Sequence, residues 1–298
     1  MCRRLPDHGW EGIGDDCAVL PLGEESLVVT ADMLVEGVHF LRHAASAREI
    51  GRKSLAVNLS DVAAMGARPV ATVLSIAVPE DAAGAWVEEF MEGYTEMSAE
   101  YGTALVGGDT TASKSGVVVN VTAIGTVPSA NLKRRADAVA GDVIAVTGWL
   151  GGSGAGLHDI LAGKCDTEAA RIHMNPVPRV AEGQWLGAQK AVHAMMDISD
   201  GAASDLRHIM ERSGVGADVC LNAVPTDYDL RTALCAGEDY ELLLTVAADE
   251  FGTVAAAFES RFGRPLYNIG RITAESGTLR WLRDGEPADE DFQGFTHF

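Results

Sequence analysis

Six stretches of this chain join an aspartate to glycine or to small hydroxyl residues: Gly14-Asp15-Asp16, Thr30-Ala31-Asp32, Leu59-Ser60-Asp61, Gly107-Gly108-Asp109-Thr110-Thr111, Asp197-Ile198-Ser199-Asp200-Gly201 and Gly237-Glu238-Asp239-Tyr240. One such stretch alone reads as a turn or a helix cap. Six of them, with no His or Cys ligand spacing beside them, point to oxygen ligands gathered around hard cations, and magnesium carrying a nucleotide's phosphates suits that donor set best. Asp32 follows the apolar run Leu27-Val28-Val29, Asp109 follows Ala104-Leu105-Val106, and Asp197 follows Ala194-Met195-Met196. Each acid therefore stands at the carboxyl end of a predicted strand, where α/β proteins bind ligands.

The elements that must position these acids are legible in part. Residues 26–32 read as a strand. A long helix follows, with Ser46 as cap and Glu49 completing a capping box, closed by Gly66 and Pro69. Asp61 falls in its last turns, where an acid opposes the negative end of the helix dipole, so a cation or strong hydrogen bonds must compensate it. Val70 to Val78 predicts a buried strand. Asp81 to Tyr101 predicts an amphipathic helix with Val87, Phe90, Met91, Tyr94 and Met97 as its core stripe. The segment Gly107 to Thr111 reads as a loop after a short strand at 104–106. The alternating run 116–127 reads as a strand that is half exposed or forms an interface. Polar residues 128–141, with Lys133, Arg134 and Arg135 adjacent, mark the candidate boundary between a domain at 1–130 and a second at 131–298. Beyond it, strands and helices alternate again, with a glycine cluster at 148–156 that reads either as a phosphate cradle or as a plain strand-to-helix turn, and with Pro176 to Arg179 opening a helix.

Composition limits the function further. The 298 residues are 47% hydrophobic, enough to fill two cores, and 43 acids against 23 bases give a formal charge of −20. Nucleic acid and anionic membrane are therefore poor partners. The five cysteines are scattered without metal spacing and read as small buried residues in a reducing compartment. No signal-peptide core begins the sequence and the longest apolar run is too short to span a bilayer, so a cytoplasmic protein is expected. The phosphate-loop motif GxxxxGK[ST], the complete GxGxxG, the GxSxG elbow and the HExxH helix are all absent from the sequence.

Several longer motifs together carry a resemblance over nearly the whole chain: Gly12-Ile13-Gly14-Asp15-Asp16, Asp32 to Phe40 (with Glu36, Gly37 and His39), Asn58 to Ala67, Gly107 to Thr111, Asp197 to Gly201, Gly237 to Leu242 and the terminal Gly294 to Phe298. The sequence resembles the thiamine-monophosphate kinases of the aminoimidazole-ribonucleotide-synthetase-like superfamily. That resemblance implies two α/β domains, the amino-terminal one forming a homodimer, and ATP-dependent phosphorylation of thiamine monophosphate to thiamine diphosphate. It implies magnesium ligands at Asp16, Thr30, Ala31, Asp32, Asp61, Asp109, Asp197 and Asp200. It further implies nucleotide contacts at Gly108, Asp109, Arg135 and Ser199, and contacts with thiamine monophosphate at His39, Glu238 and Phe295.

Ala31 stands where the family usually has Ser or Thr, so a metal contact there would come from the backbone carbonyl. The acceptor is itself a phosphate with a second pKa near ~6, so direct in-line transfer needs no general base. The readings set beside this one are a sister ATP-dependent enzyme such as selenophosphate synthetase, which would need a reactive Cys, and a dimeric nucleotide-binding scaffold without turnover.

Overall fold

The computed structural model describes residues 9–294. Two sheets organise it. The first has the order β1-β2-β5-β3-β4, from β1 (Ala18–Leu22), β2 (Glu25–Val35), β3 (Arg68–Val78), β4 (Ala104–Ala112) and β5 (Val118–Pro128). Its pairs are antiparallel except β3 with β4. Val119, Val121, Ala123, Gly125 and Val127 of β5 are buried while the residues that alternate with them are only partly so. One face is thus packed and the other is half exposed, as the alternation predicts.

The packed face carries α1 (Ala47–Ala64) and α2 (Ala85–Glu100). Ser46 and Glu49 form the expected capping box on α1. The second helix contains the whole apolar stripe but starts later than the Asp81 expected from the sequence. Glu80–Ala82 forms a separate 3-10 turn and Gly84, at φ 85°, precedes the helix proper, because a glycine in that conformation cannot continue a helical run. Phe90, Tyr94 and Met97 fill the core from α2, and the Tyr94 hydroxyl donates to Thr72 Oγ1 at 2.7 Å.

The second sheet has the order β12-β11-β8-β10-β6-β9-β7, from β6 (Val143–Val146), β7 (Val192–Asp197), β8 (Gly216–Cys220), β9 (Leu242–Val246), β10 (Tyr267–Thr273), β11 (Leu279–Arg283) and β12 (Glu286–Pro287). Helices α3 (Gly152–Leu161), α4 (Glu168–Met174), α5 (Val180–Gly187), α6 (Ala202–Ser213), α7 (Leu230–Cys235) and α8 (Phe251–Phe262) accompany it. Leu242, Leu244 and Val246 of β9 enter one core and Leu243 another, so the strand is a continuous apolar run with both faces covered. Despite the alternation of strands and helices, only β8 and β11 pair in parallel.

Two sequence expectations are corrected here. The Gly107 to Thr111 stretch is not a loop but part of β4, paired with β3 from Ala71 to Val78. Its glycines permit the pairing, since a Cβ at Gly108 would lie 1.8 Å from Leu74 O. Of the cysteines, Cys17 is buried but Cys165, Cys220 and Cys235 are only partly so. Among the described residues no helix is long and apolar enough to cross a membrane.

Helix α1 lies between the two halves. It packs on β2, β3 and β5 from one side and on α5 and β7 from the other. Lys53, Ser54, Asn58 and Ser60 are buried along it, and polar groups in so enclosed a helix must each find a partner.

Candidate active site

The acids converge where α1 meets the ends of β2 and β7. Carboxylate oxygens of Asp16, Asp61 and Asp197 lie within 4.8 Å of one another. Asp16 comes from the loop before β1, Asp61 from the last turn of α1, and Asp197 from the end of β7. Thr30 Oγ1 on β2 donates to Asp61 Oδ2 at 2.5 Å, and Ser60 Oγ donates to Asp197 Oδ2 at 2.6 Å. Asp32 is held by its backbone: its N–H donates to Asn58 Oδ1 at 3.1 Å, and its carbonyl accepts from Asn120 Nδ2 at 3.0 Å. Ala31 contributes only backbone atoms, in register with Thr122 of β5.

Burial and mutual repulsion set the electrostatics. Asp16 is pushed up to about 7 by burial, against the opposing pull of Arg135, whose Nη2 donates to its Oδ1. Asp197 rises to about 6 and Asp15 to about 6, and burial is the largest cause in each. Asp61 is driven well above the ordinary range by burial and then by Asp197, Asp32 and Asp16. Asp32 is raised by burial and by Asp16 and Asp200. The Oδ2 atom of Asp16 is buried with no hydrogen-bond partner. An all-oxygen set of crowded carboxylates with an orphaned buried oxygen fits a hard divalent cation such as magnesium.

Asp61 and Asp197 of the cluster line a cleft of about 590 Å³. Asp32, Ser199 and Asp200 line it with them, together with apolar residues that include Phe40, Leu41, Ile160 and Met174. His39 and Glu238 also line it. His39 Nδ1 accepts the Val35 N–H at 3.0 Å, which leaves the proton of the neutral ring on Nε2. The loop bearing Glu238 is hydrogen-bonded to the loop bearing Ser199: Glu238 N–H donates to Ser199 O at 2.8 Å and Tyr240 N–H to Ile198 O at 2.9 Å. Gly237, Glu238 and Tyr240 all have positive φ, of 75°, 57° and 50°. Positive φ at two non-glycine residues of one short loop, Glu238 and Tyr240, costs energy, and such strain concentrates at sites where a side chain must be aimed.

Not every expected residue joins the cluster. Asp109 sits on β4 at the sheet edge. Asp32, Val121, Leu74 and Gly108 form one row across β2, β5, β3 and β4, so Gly108 is three strand spacings, about 14 Å, from Asp32. Within one chain, Gly108 and Asp109 are thus apart from the other acids. Phe295 lies outside the described residues.

The glycine cluster at 148–156 proves to be occupied. Gly151 N–H donates to Asp239 Oδ2 at 2.8 Å and Ser153 N–H to Asp239 Oδ1 at 3.2 Å, so a carboxylate of the chain itself caps α3. Cys17 is no better suited to chemistry. Burial, with the neighbouring acids, pushes its thiol well above the ordinary value, so Cys17 does not suit the role of the reactive cysteine that a selenophosphate synthetase would need.

The AIR synthase related protein N-terminal domain matches residues 14–127, and the AIR synthase related protein C-terminal domain matches residues 139–281. Thiamine-monophosphate kinase of Escherichia coli strain K12 is 38% identical, the match covering 96% of this chain and 91% of that one. The chain belongs to the thiamine-monophosphate kinase family. The crystal structure of a member from Stenotrophomonas maltophilia K279a superposes with a TM-score of 0.80 at 40% identity, covering 93% of this chain and 91% of that one. A second member, AaThiL complexed with AMPPCP and TMP, superposes with a TM-score of 0.82 at 31% identity, covering 96% and 92%.

Sequence reasoning about this family member missed the partners of its expected site residues. Lys53 donates to Glu238 Oε2 at 2.9 Å, His173 stands beside both, and Asp239 caps α3. Asp239 left a trace as part of the Gly237 to Tyr240 motif, whereas Lys53, next to Arg52, and His173 left none.

Proposed function

We propose that this chain catalyses the ATP-dependent phosphorylation of thiamine monophosphate to thiamine diphosphate by direct in-line transfer. The observation that carries the reading is the cleft itself, lined both by crowded carboxylates and by apolar side chains, with the Glu238 carboxylate among them. A substrate that joins a phosphate to a cationic aromatic body matches that mixed lining.

Asp16, Asp32, Asp61, Asp197 and Asp200 would hold magnesium, with Thr30 and the backbone of Ala31 beside them. When bound, magnesium supplies the positive charge that neutralises these acids and the phosphates brought against them. The chain's own residues do the rest. Arg135, its charge reinforced by Asp16, is poised to fork onto a nucleotide phosphate, and the Ser199 loop flanks the same end. The strained Glu238 segment and His39 orient the acceptor from the other side. The acceptor phosphate is already largely dianionic at neutral pH, so its oxygen can attack without a general base, and alignment supplies the rate.

We place the active form as a homodimer through the first sheet, in which β4 of one protomer brings Gly108 and Asp109 to the acids of its partner. The half-exposed face of β5 and the exposed edge β4 support that assembly. A division into domains at 1–130 and 131–298 follows the two sheets. The four described cysteines are free, which suits a reducing cytoplasm.

Incubation of the purified protein with magnesium-ATP and thiamine monophosphate, with thiamine diphosphate quantified, tests the reading. Absence of product under conditions where the protein is folded and binds ATP would overturn it.

A further inference from the structure

A buried lysine in the cleft has no part in the chemistry described so far. Lys53 is 4% exposed, yet it lines the same cavity as Glu238. Its ammonium has three protons and three acceptors: Glu238 Oε2 at 2.9 Å, the His173 carbonyl at 3.2 Å and His173 Nε2 at 3.3 Å. An ammonium so engaged has no donor left for a substrate phosphate, and its salt bridge makes it no nucleophile. Any effect on a ligand must pass through its partners.

The geometry around it is consistent. An ammonium can only donate, so His173 Nε2 accepts and the ring proton is on Nδ1, which faces Ser153 Oγ at 2.9 Å and Glu238 Oε2 at 3.4 Å. Burial and the adjacent Lys53 hold His173 down at about 4, so the ring is neutral. For Glu238, burial raises its pKa, but Lys53 and then His173 outweigh it and the net shift is downward. The carboxylate is therefore fixed at one oxygen, ionised, and carried on a backbone held at φ 57°, with a quarter of its side chain still exposed to the cleft.

We propose that Lys53 is a positioning residue for the acceptor, locking the Glu238 carboxylate in the orientation that receives the cationic thiamine body. The proposal rests on the kinase reading above. A buried ion pair that merely joined α1 to the 237–240 loop would need neither the strained backbone nor a place in the cavity wall.

Steady-state kinetics of a double-mutant cycle, Lys53→Met, Glu238→Gln and both together, tests it. Lys53→Met should raise KM for thiamine monophosphate roughly ten- to a hundredfold, the scale of a lost charge-assisted hydrogen bond, and leave KM for ATP nearly unchanged. In the Glu238→Gln background the same substitution should change KM for the acceptor by less than about threefold, because the residue it acts through is already neutral. The double variant removes both charges, so it stays folded where the single one leaves a buried carboxylate unpaired. An active wild type whose Lys53→Met variant keeps its acceptor KM, raises both constants alike, or shows the same factor in both backgrounds overturns the proposal. A wild type that makes no thiamine diphosphate overturns the kinase reading and this proposal with it.

Discussion

Asp61 gathers more opposing influences than any other residue of the site. It sits at the negative end of α1, accepts from Thr30, and is raised by burial together with three other aspartates. Replacement by Asn removes one charge from the set proposed to hold magnesium, and Asp61→Asn should cut turnover at least about a hundredfold, the scale of a preorganised charge lost from a transition state. Turnover assays at saturating ATP check this, and near-normal activity would remove Asp61 from the metal site. The same electrostatics give a pH dependence. Asp16 at about 7, Asp15 at about 6 and Asp197 at about 6 all stand above their ordinary 3.8. In metal-free protein the folded state then holds protons that the unfolded chain has released. These groups contribute stability that is full below about 4 and lost as pH rises through 6 to 7. Magnesium competes with those protons, so its increment in Tm should be larger at pH 8 than at pH 6, as calorimetry with magnesium or chelator would read. An increment that grew on acidification would contradict the ligand assignment. The acids were legible in the sequence because six aspartate-bearing stretches recur, three of them after apolar runs, where one alone would read as a turn. Lys53 and His173 were not, since Lys53 meets His173 across 120 residues of chain and Glu238 across 185.

At the scale of elements, α1 carries the site. Its start was legible because Ser46 and Glu49 encode a capping box in four residues, and its role in the site was legible through Asn58 and Asp61. Its tightness against α2 was not, because it depends on two glycines meeting across a crossing. A Cβ on Gly51 would lie 2.1 Å from Phe90 O, and one on Gly93 would lie 2.0 Å from Arg48 O. Alanine favours an isolated helix over glycine by roughly 1 kcal/mol, but here backbone blocks the added methyl. Gly51→Ala should therefore destabilise by about 1 to 3 kcal/mol and, by shifting α1, lower activity as well. Urea unfolding of the variant decides the sign, and a gain in stability would show that the crossing can open. The misreading of β4 has a related cause. Gly107-Gly108-Asp109 carries turn chemistry, yet parallel pairing with β3 captures it as a strand, and pairing between distant segments overrides local propensity.

On the scale of the whole molecule, the unresolved tension is between Asp109 and the acids it was expected to join. All nine residues of β4 are exposed, including Leu105 and Val106, and an exposed apolar edge strand invites pairing with another chain. The row from Asp32 to Gly108 spans about 14 Å, far beyond the reach of two ligands to one magnesium ion at roughly 2 Å each. If the homodimer sets β4 of one protomer beside β2 of its partner, the distance closes without any change in either chain. This arrangement makes a prediction that a site built within one chain does not. Asp61→Asn and Asp109→Asn should each be nearly inactive alone. Co-expressed with different tags and purified as a mixed dimer, they should recover up to about half of wild-type turnover, because one of the two sites then draws an intact Asp61 from one protomer and an intact Asp109 from the other. The second site in the same dimer carries both lesions and stays silent. A mixed dimer no more active than either parent would place Asp109 in the site of its own chain or outside catalysis altogether, and a monomer mass for the active wild type in light scattering would remove the shared site itself.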